Sequence, residues 1–213
     1  MHSSAFIVFA ALFCAATADQ RTWTGIINDE QWGTANNWYP AGVPGPNDDV
    51  VINDAETKDA TVVLVQAATV NSLTVGGAAA HVRVRVLAGL VVATTLKVES
   101  HGVLEVNSGA AAVSCNNVSV AGELEFAAGS LLGGFAISGT ANFGGQAAKA
   151  FNGATVTITS AQNVLAAGSI QFLGSSTVTA KTGVVASGAN TQFIVMDQST
   201  DNSFVAKGFE WRQ

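Results

Sequence analysis

Hydrophobic and polar positions alternate in short runs along most of this chain, and a glycine opens many of the runs. Four segments repeat one arrangement, in which the third and fifth residues are apolar or small and the fourth is polar: 102–106, 122–126, 139–143 and 168–172. Alternation of this kind is typical of a strand with one buried face. The first three glycines stand roughly twenty residues apart, as in the coils of a solenoid. The pattern therefore predicts an all-β fold, a single-stranded parallel β-helix (solenoid) whose coils bury their inner faces by stacking.

Shorter apolar-x-apolar runs predict further strands near residues 50, 61, 70, 82 and 156. Clusters of Gly, Ala and Ser at 76–80 and 107–112 predict the corners between strands. The interval between Gly139 and Gly168 is longer than the others, so an extra short strand or an outward loop is expected over 146–152. A single helical turn there is also open, because Ala and Lys are good helix formers.

Composition restricts the class of protein. The chain has 213 residues, of which 48% are hydrophobic and only 11% charged, with 22 glycines. This is unlike a helical protein and suits an extracellular all-β chain. A net charge of −6 argues against a nucleic-acid partner. The one close basic pair, Arg83 and Arg85, alternates with valines and is interpreted as the solvated face of a strand.

The N-terminal segment 1–18 has the features of a secretory signal peptide. An apolar run over 5–16 is followed by Ala16-Thr17-Ala18, a typical cleavage signature, and the run is too short to span a bilayer. We therefore expect a secreted or extracellular protein without a membrane span, associated with the cell surface in some settings.

Cleavage before Asp19 would remove Cys14 and leave Cys115 as the one thiol, so no internal disulfide is expected. Cys115 is interpreted as a small buried hydrophobe at a turn. Two residues later, the sequence Asn117-Val118-Ser119 is the one N-x-S/T sequon, which makes Asn117 the expected glycosylation site.

Residues 19–52 form a leader that differs from the repeat domain predicted over 53–213. The leader holds three of the four tryptophans and all three prolines. A β-helix leaves an open strand edge at its end, and bulky aromatic residues with Pro-Gly turns suit a cap over that edge. The leader is therefore interpreted as an aromatic N-terminal cap. The alternative is an aromatic carbohydrate-binding platform, made of Trp23, Trp32 and Trp38.

The order of residues in the leader also resembles the opening segment of secreted β-helical surface proteins. Such leaders occur in autotransporter-type adhesins and in the amnionless extracellular region. The resemblance implies a β-solenoid on a secreted or cell-surface protein that acts in adhesion or assembly, and it implies no catalytic residue. It is carried by Trp23, Trp32, Asn37, Trp38, Gly42, Pro44, Gly45, Asp48, Asp49, Val50 and Ile52.

The polar fourth position of the repeat is occupied by Glu105, Glu125, Asn142 and Gln171. On stacked coils these residues are expected to form one outward column at a spacing of roughly 4.8 Å. Two carboxylates so close repel each other, or bind a cation such as Ca²⁺ together with Glu123. The alternative to this metal site is a solvated acidic face, whose negative charge Lys97 on a neighbouring strand compensates.

The motifs of known enzymes are missing from the sequence. The segment 19–213 keeps two histidines, His81 and His101, and neither lies near a nucleophile motif, a phosphate loop or a metal-ligand spacing. Threonine ladders that could bind a crystal surface are limited to 155–159 and 177–179. At the other end of the chain, Phe209 and Trp211 are expected to close the stack.

We therefore expect no enzyme activity and no cofactor, but a secreted extracellular structural or adhesive module. The alternative is a carbohydrate-binding or carbohydrate-active β-helix protein. The expected partner is an extracellular protein or glycan, and self-assembly is the other form of interaction considered.

Overall fold

A computed structural model describes residues 19–53, 59–77, 81–162, 164–187, 192–195, 203–206 and 209–212. The predicted signal segment 1–18, with Cys14, lies outside these residues, as do the side chains of Phe209 and Trp211. The described part has strands and one short 3₁₀ turn, Ala35–Asn37, but no α-helix. The strands are β1 Gln20–Trp23, β2 Trp38–Tyr39, β3 Asp49–Ile52, β4 Ala60–Leu64, β5 Ala68–Val75, β6 Val82–Val86, β7 Gly89–Val98, β8 Gly102–Val120, β9 Glu123–Ile137, β10 Thr140–Phe143, β11 Lys149–Ile158, β12 Val164–Ala166, β13 Ser169–Leu173, β14 Thr177–Ala180, β15 Val184–Ser187, β16 Gln192–Val195, β17 Ser203–Ala206 and β18 Phe209–Arg212.

Nearly all strand pairs are parallel, and each strand pairs with the strand one coil later. The predicted all-β solenoid is confirmed. Long strands such as β8 and β9 turn corners, so that each contributes to three sheets. We name the sheets by their outward residues. The charged face contains β4, β6, β10, β12, β15, β18 and the starts of β8 and β9. The middle face contains β13, β16, the starts of β5, β7 and β11, and the middles of β8 and β9. The hydroxyl face contains β1, β3, β14, β17 and the ends of β5, β7, β8, β9 and β11.

The core follows from the alternation in the sequence. Inward positions of successive coils carry aliphatic residues that are fully buried, as in the column Val62, Val84, Leu104 and Leu124 of the charged face. Further along the stack the core becomes aromatic. Phe151 lies 5.5 Å from Phe126, 5.5 Å from Phe143 and 5.6 Å from Phe172, measured between ring centroids. Apolar burial at roughly 25 cal/mol per Å² is the main stabilising term of such a stack.

The glycines of the repeat lie at the corner between the hydroxyl and charged faces. There the coils approach so closely that a side chain has no space. A Cβ at Gly102 would lie 2.4 Å from the carbonyl oxygen of Val75, one at Gly122 2.2 Å from that of Gly102, and one at Gly139 1.8 Å from that of Gly122. Close backbone approach, and not a left-handed conformation, is the reason for glycine at these three positions.

The prediction that Gln171 shares a column with Glu105, Glu125 and Asn142 is wrong. Asn142 pairs with Glu125 and then with Leu165, whereas Gln171 lies on the middle face beside Ala150. Gly168 begins a strand at a different corner from that of the other three glycines. The extra strand proposed for the long interval is present as β11, after a bend at 145–147, and the described residues there include no helical turn.

One inward position of the middle face holds a lysine. Lys149 precedes Ile170 in the same inward column, and its side chain is fully buried. Its Nζ donates to the carbonyl oxygens of Gly145 and Ala147, both at 2.9 Å, and of Ala127 at 3.4 Å. No carboxylate is paired with it among the described residues. Burial therefore lowers the pKa of Lys149 from 10.5 to about 8.

We expect stability to rise with pH because of this lysine. Below pH 8 the folded and unfolded chains are both protonated at Lys149, and the fold bears the full cost of the buried charge. Between about 8 and 10.5 the unfolded chain binds more protons, so the free energy of unfolding increases, by about 3 kcal/mol in total. Urea unfolding across this range measures the increase. The rise should vanish in Lys149→Met and persist in Lys97→Met, which removes an exposed lysine. An equal rise in both variants would contradict this account.

Candidate functional site

The leader tryptophans form one cluster, in which Trp32 and Trp38 are buried and Trp23 is half-buried. Trp38 lies edge to face against Trp32, with centroids 4.9 Å apart, and against Trp23, with centroids 5.0 Å apart. Trp32 and Trp38 are 3% and 2% exposed. Their ring faces are thus unavailable to a sugar, and the aromatic platform expected from Trp23, Trp32 and Trp38 is absent from the surface. The three side chains instead pack against the first coil, as in a cap.

The leader is fixed to the first coils by the backbone and by buried polar groups. Strand β1 pairs in parallel with β3, and Gln31 forms a bridge with Val63 of β4. Buried Asn37 donates to Asp29 Oδ1 at 2.5 Å and accepts from the Ile27 amide at 3.1 Å. A hydrogen bond from Thr34, followed by one from a backbone amide, lowers the pKa of Asp29. These contacts order the loop that carries Trp32.

Two of the predicted acidic residues of the charged face, Glu105 and Glu125, are paired with arginines. The register aligns Arg85 with Glu105 and Glu105 with Glu125. Arg83 donates to Glu105 at 3.0 Å and also to Glu125, while Arg85 Nε donates to Glu105 at 2.9 Å. Arg83 and Arg85 thus neutralise the column. The expected compensation by Lys97 is wrong, because Lys97 lies in register with Thr74 and Ser119 on the hydroxyl face.

The ion pairs change how the carboxylates titrate. Burial works to raise the pKa of Glu105, but hydrogen bonds from Asn107, Arg85 and Arg83 outweigh it and hold the pKa below its usual value. Glu123 behaves oppositely, since burial and then the charge of Glu125 raise its pKa. The site expected to bind a cation through Glu105, Glu123 and Glu125 holds the Arg83 guanidinium between two of its carboxylates. No cluster of three His, Cys, Asp or Glu suited to a metal occurs in the described part of the chain.

The hydroxyl face carries two outward columns of mostly short side chains. One column runs through Ser72 and Thr95 and continues through Thr155, Thr177 and Ser203. The other column contains a lysine and several apolar residues besides its hydroxyl groups. Outward hydroxyl groups therefore occur on many more coils than the two threonine runs identified in the sequence. They belong to Thr22, Ser72, Thr74, Thr95, Ser119, Thr155, Thr157, Thr177, Thr179 and Ser203.

The remaining sequence candidates lie around this framework. Asn117 is exposed at the border of the hydroxyl face, and Cys115 beside it is buried and unpaired. His81 and His101 meet edge to face, with centroids 5.4 Å apart, beside a shallow depression of about 200 Å³ that Glu123 also lines. Nδ1 of His101 is shared by Ser100 Oγ and the Gly77 carbonyl oxygen.

A cleft of about 480 Å³ lies between the leader and the first coil. The sequence gives little sign of it, since it forms where the segment 43–46 passes over residues 65–69. Two of its apolar side chains, Val43 and Val65, are 45% and 53% exposed. The cleft is lined by Gln31, Trp32, Gly33, Val43, Pro44, Gly45, Pro46, Val65, Gln66, Ala67, Ala68 and Thr69.

Comparison with known proteins gives one match. The model of the family described as Domain of unknown function (DUF8693) matches residues 22–129, just over half of the chain. The matched region includes the tryptophan cluster, the cleft and the arginine–glutamate column. No curated protein and no solved structure matches. The described residues contain no helical segment with the length and hydrophobicity of a membrane span.

Proposed function

The chain belongs to the family Domain of unknown function (DUF8693), and we propose from its geometry that it is a secreted, non-catalytic structural or adhesive module. It binds a hydroxyl-rich extracellular polymer through the hydroxyl face. The observation that carries the proposal is the regular register of that face from β1 to β17. Parallel pairing places equivalent outward residues about 4.8 Å apart along the stack and about 6.6 Å apart along each strand.

The chemistry of these side chains suits adhesion to a repetitive surface. Each hydroxyl both donates and accepts a hydrogen bond, so the face can match a polymer that itself exposes hydroxyl groups. Ser and Thr are short, and ordering them costs less entropy than ordering Lys or Gln. The outward columns carry few charges, Asp49 and Lys97 among them. A rigid sheet with short side chains loses little freedom when a polymer lies along it.

The other surfaces support this choice. On the charged face, Arg83, Arg85, Glu105 and Glu125 are engaged with one another. On the leader, the tryptophans are packed inward. The resemblance of the leader to those of secreted β-helical surface proteins supports an extracellular adhesive role, and the predicted signal peptide supports secretion. Both remain predictions.

Co-sedimentation with insoluble polysaccharide tests the proposal. Protein with Asn117→Gln, produced in bacteria to leave the face free of glycan, is mixed with microcrystalline cellulose or chitin. We expect it to sediment with at least one of them. The double substitution Thr157→Tyr with Thr179→Tyr places two bulky groups on paired positions of the face and should weaken binding at least tenfold.

Ala150→Tyr with Gln171→Tyr is the matched control, because these outward residues are paired in the same way on the middle face. The control should bind like the parent protein. The proposal is wrong if the parent protein stays in solution with both polymers, or if the two double variants sediment equally. Circular dichroism establishes that each variant keeps its β structure.

A further inference from the structure

The cleft beside the leader lies where one strand ladder of the solenoid is interrupted. The start of β5, residues 68–70, pairs with residues 90–92 of β7 on the side of the following coil. On the opposite side the leader segment 43–46 passes at the position of a preceding strand. No described strand pairs with residues 68–70 on that side. The ladder resumes immediately afterwards, where the Asn71 amide donates to the Asp48 carbonyl oxygen at 2.9 Å.

Two prolines explain the interruption. Pro44 and Pro46 have no backbone N–H, and the Gly45 N–H donates to Asp48 Oδ2 at 2.8 Å, so segment 43–46 has few donors left for a ladder partner. The segment therefore stands apart from residues 68–70. An unpaired strand edge of this kind presents alternating amide and carbonyl groups, which another extended chain can satisfy.

Trp32 contributes a further unsatisfied group. It is 3% exposed and lines the cleft, and its indole N–H finds no acceptor among the described residues. A buried donor without an acceptor lowers the stability of the structure around it. Trp38 differs, because its indole N–H donates to the Trp32 carbonyl oxygen at 2.8 Å. Trp32 thus differs from Trp38 in that its indole N–H is buried beside the cleft without an acceptor among the described residues.

The lining defines the chemistry of that ligand. None of the described residues that form the cleft carries a charge, and a charged ligand group would lose water there without a partner. Val43, Pro44, Pro46 and Val65 provide apolar contacts. The volume of about 480 Å³ falls within the range of roughly 300–1,000 Å³ that is usual for ligand sites.

We propose that this cleft binds a short, uncharged, extended peptide segment of a partner protein, which adds as a strand along residues 68–70. The peptide backbone completes the interrupted ladder and lies beside Trp32, which lines the cleft. Alternate small apolar side chains contact Val43 and Val65. A peptide fits better than a sugar because the open edge offers donors and acceptors at strand spacing, about 3.3 Å per residue.

The test uses the blocked peptide acetyl-Thr-Val-Thr-Val-amide as the probe. In ¹⁵N-resolved NMR spectra of the whole chain, we expect shifts confined to the backbone amides of residues 65–70 and the Trp32 indole. The same peptide with N-methyl groups on alternate amides should bind at least tenfold more weakly, because it cannot donate to the ladder. This comparison leaves the protein unchanged.

Two protein variants complete the experiment. Val65→Lys puts a charge into the cleft and should weaken peptide binding at least tenfold. Val91→Lys should not, because Val91 lies outside the cleft; it is 44% exposed, against 53% for Val65. Equal binding of the normal and N-methylated peptides would overturn the proposal. So would the absence of binding, or shifts of the same residues by cellotetraose alone. Sedimentation of Val65→Lys with polysaccharide reports on the hydroxyl face, so the two proposals can fail separately.

Discussion

Gly139→Ala is expected to lower the free energy of unfolding by about 3–5 kcal/mol, near the upper end for a single substitution. The new Cβ would lie 1.8 Å from the Gly122 carbonyl oxygen and 2.3 Å from that of Ala121. Both contacts are with backbone, which cannot rotate away as a side chain can. The coils must therefore separate at this corner, and the amide of Thr140 would lose its 2.8 Å hydrogen bond to the Gly122 carbonyl oxygen.

Urea unfolding together with amide hydrogen exchange measures this effect. In a stack whose coils contact mainly their neighbours, the damage should be greatest in the coils beside residue 139. Gly109→Ala is the matched control, since a Cβ at Gly109 meets no atom within 4 Å. It should change stability by less than about 0.5 kcal/mol. Similar losses from both substitutions would contradict the close-approach explanation.

Phe151→Ala is expected to cost about 3–5 kcal/mol, because it removes a large, fully buried side chain and leaves a cavity. Phe151 is the residue that links the aromatic core, with ring centroids of three other phenylalanines between 5.5 and 5.6 Å away. Its loss removes those edge-to-face and stacked contacts together, beyond the loss of buried area.

Thermal and urea unfolding of Phe151→Ala should be compared with those of Leu165→Ala. Leu165 is another large apolar residue of a strand, but its side chain is 49% exposed, so its truncation should cost less than about 1 kcal/mol. Phe151→Leu, which keeps most of the volume, should restore a large part of the stability. A loss in Phe151→Ala no larger than that in Leu165→Ala would show that the aromatic cluster contributes little.

The fold could be predicted because a solenoid repeats its signal. Alternation of apolar and polar residues marks each strand, and glycine marks the corner where backbones meet. The face on which a strand lies is not encoded in the same way. Gly168 begins the same local pattern as Gly139, yet its strand belongs to the middle face, so the local pattern predicts the wrong column for Gln171.

The candidate sites could be predicted only in part, since they depend on contacts between coils. The carboxylates of Glu105 and Glu125 were located on one outward column, but their partners stand one or two coils away. Aligning Arg83 and Arg85 with a coil of about twenty residues would have revealed the pairing. Lys149 also had a signal, because it shares the inward parity of Phe151. By contrast, nothing local distinguishes a buried tryptophan from an exposed one.

The register of the coils also has a consequence for the order in which the chain folds. Contacts between neighbouring coils join residues about twenty positions apart, as in the pairs Arg85–Glu105 and Thr182–Gln162. Each coil can therefore fold as soon as it has been synthesised, using the preceding coil as its template. The costly step is closing the first coil against a neighbour, wherever along the stack this occurs, and later coils add at a nearly constant cost. Coils that never touch the tryptophan cluster can thus fold before that cluster forms, because each coil needs only a neighbouring coil to pair with.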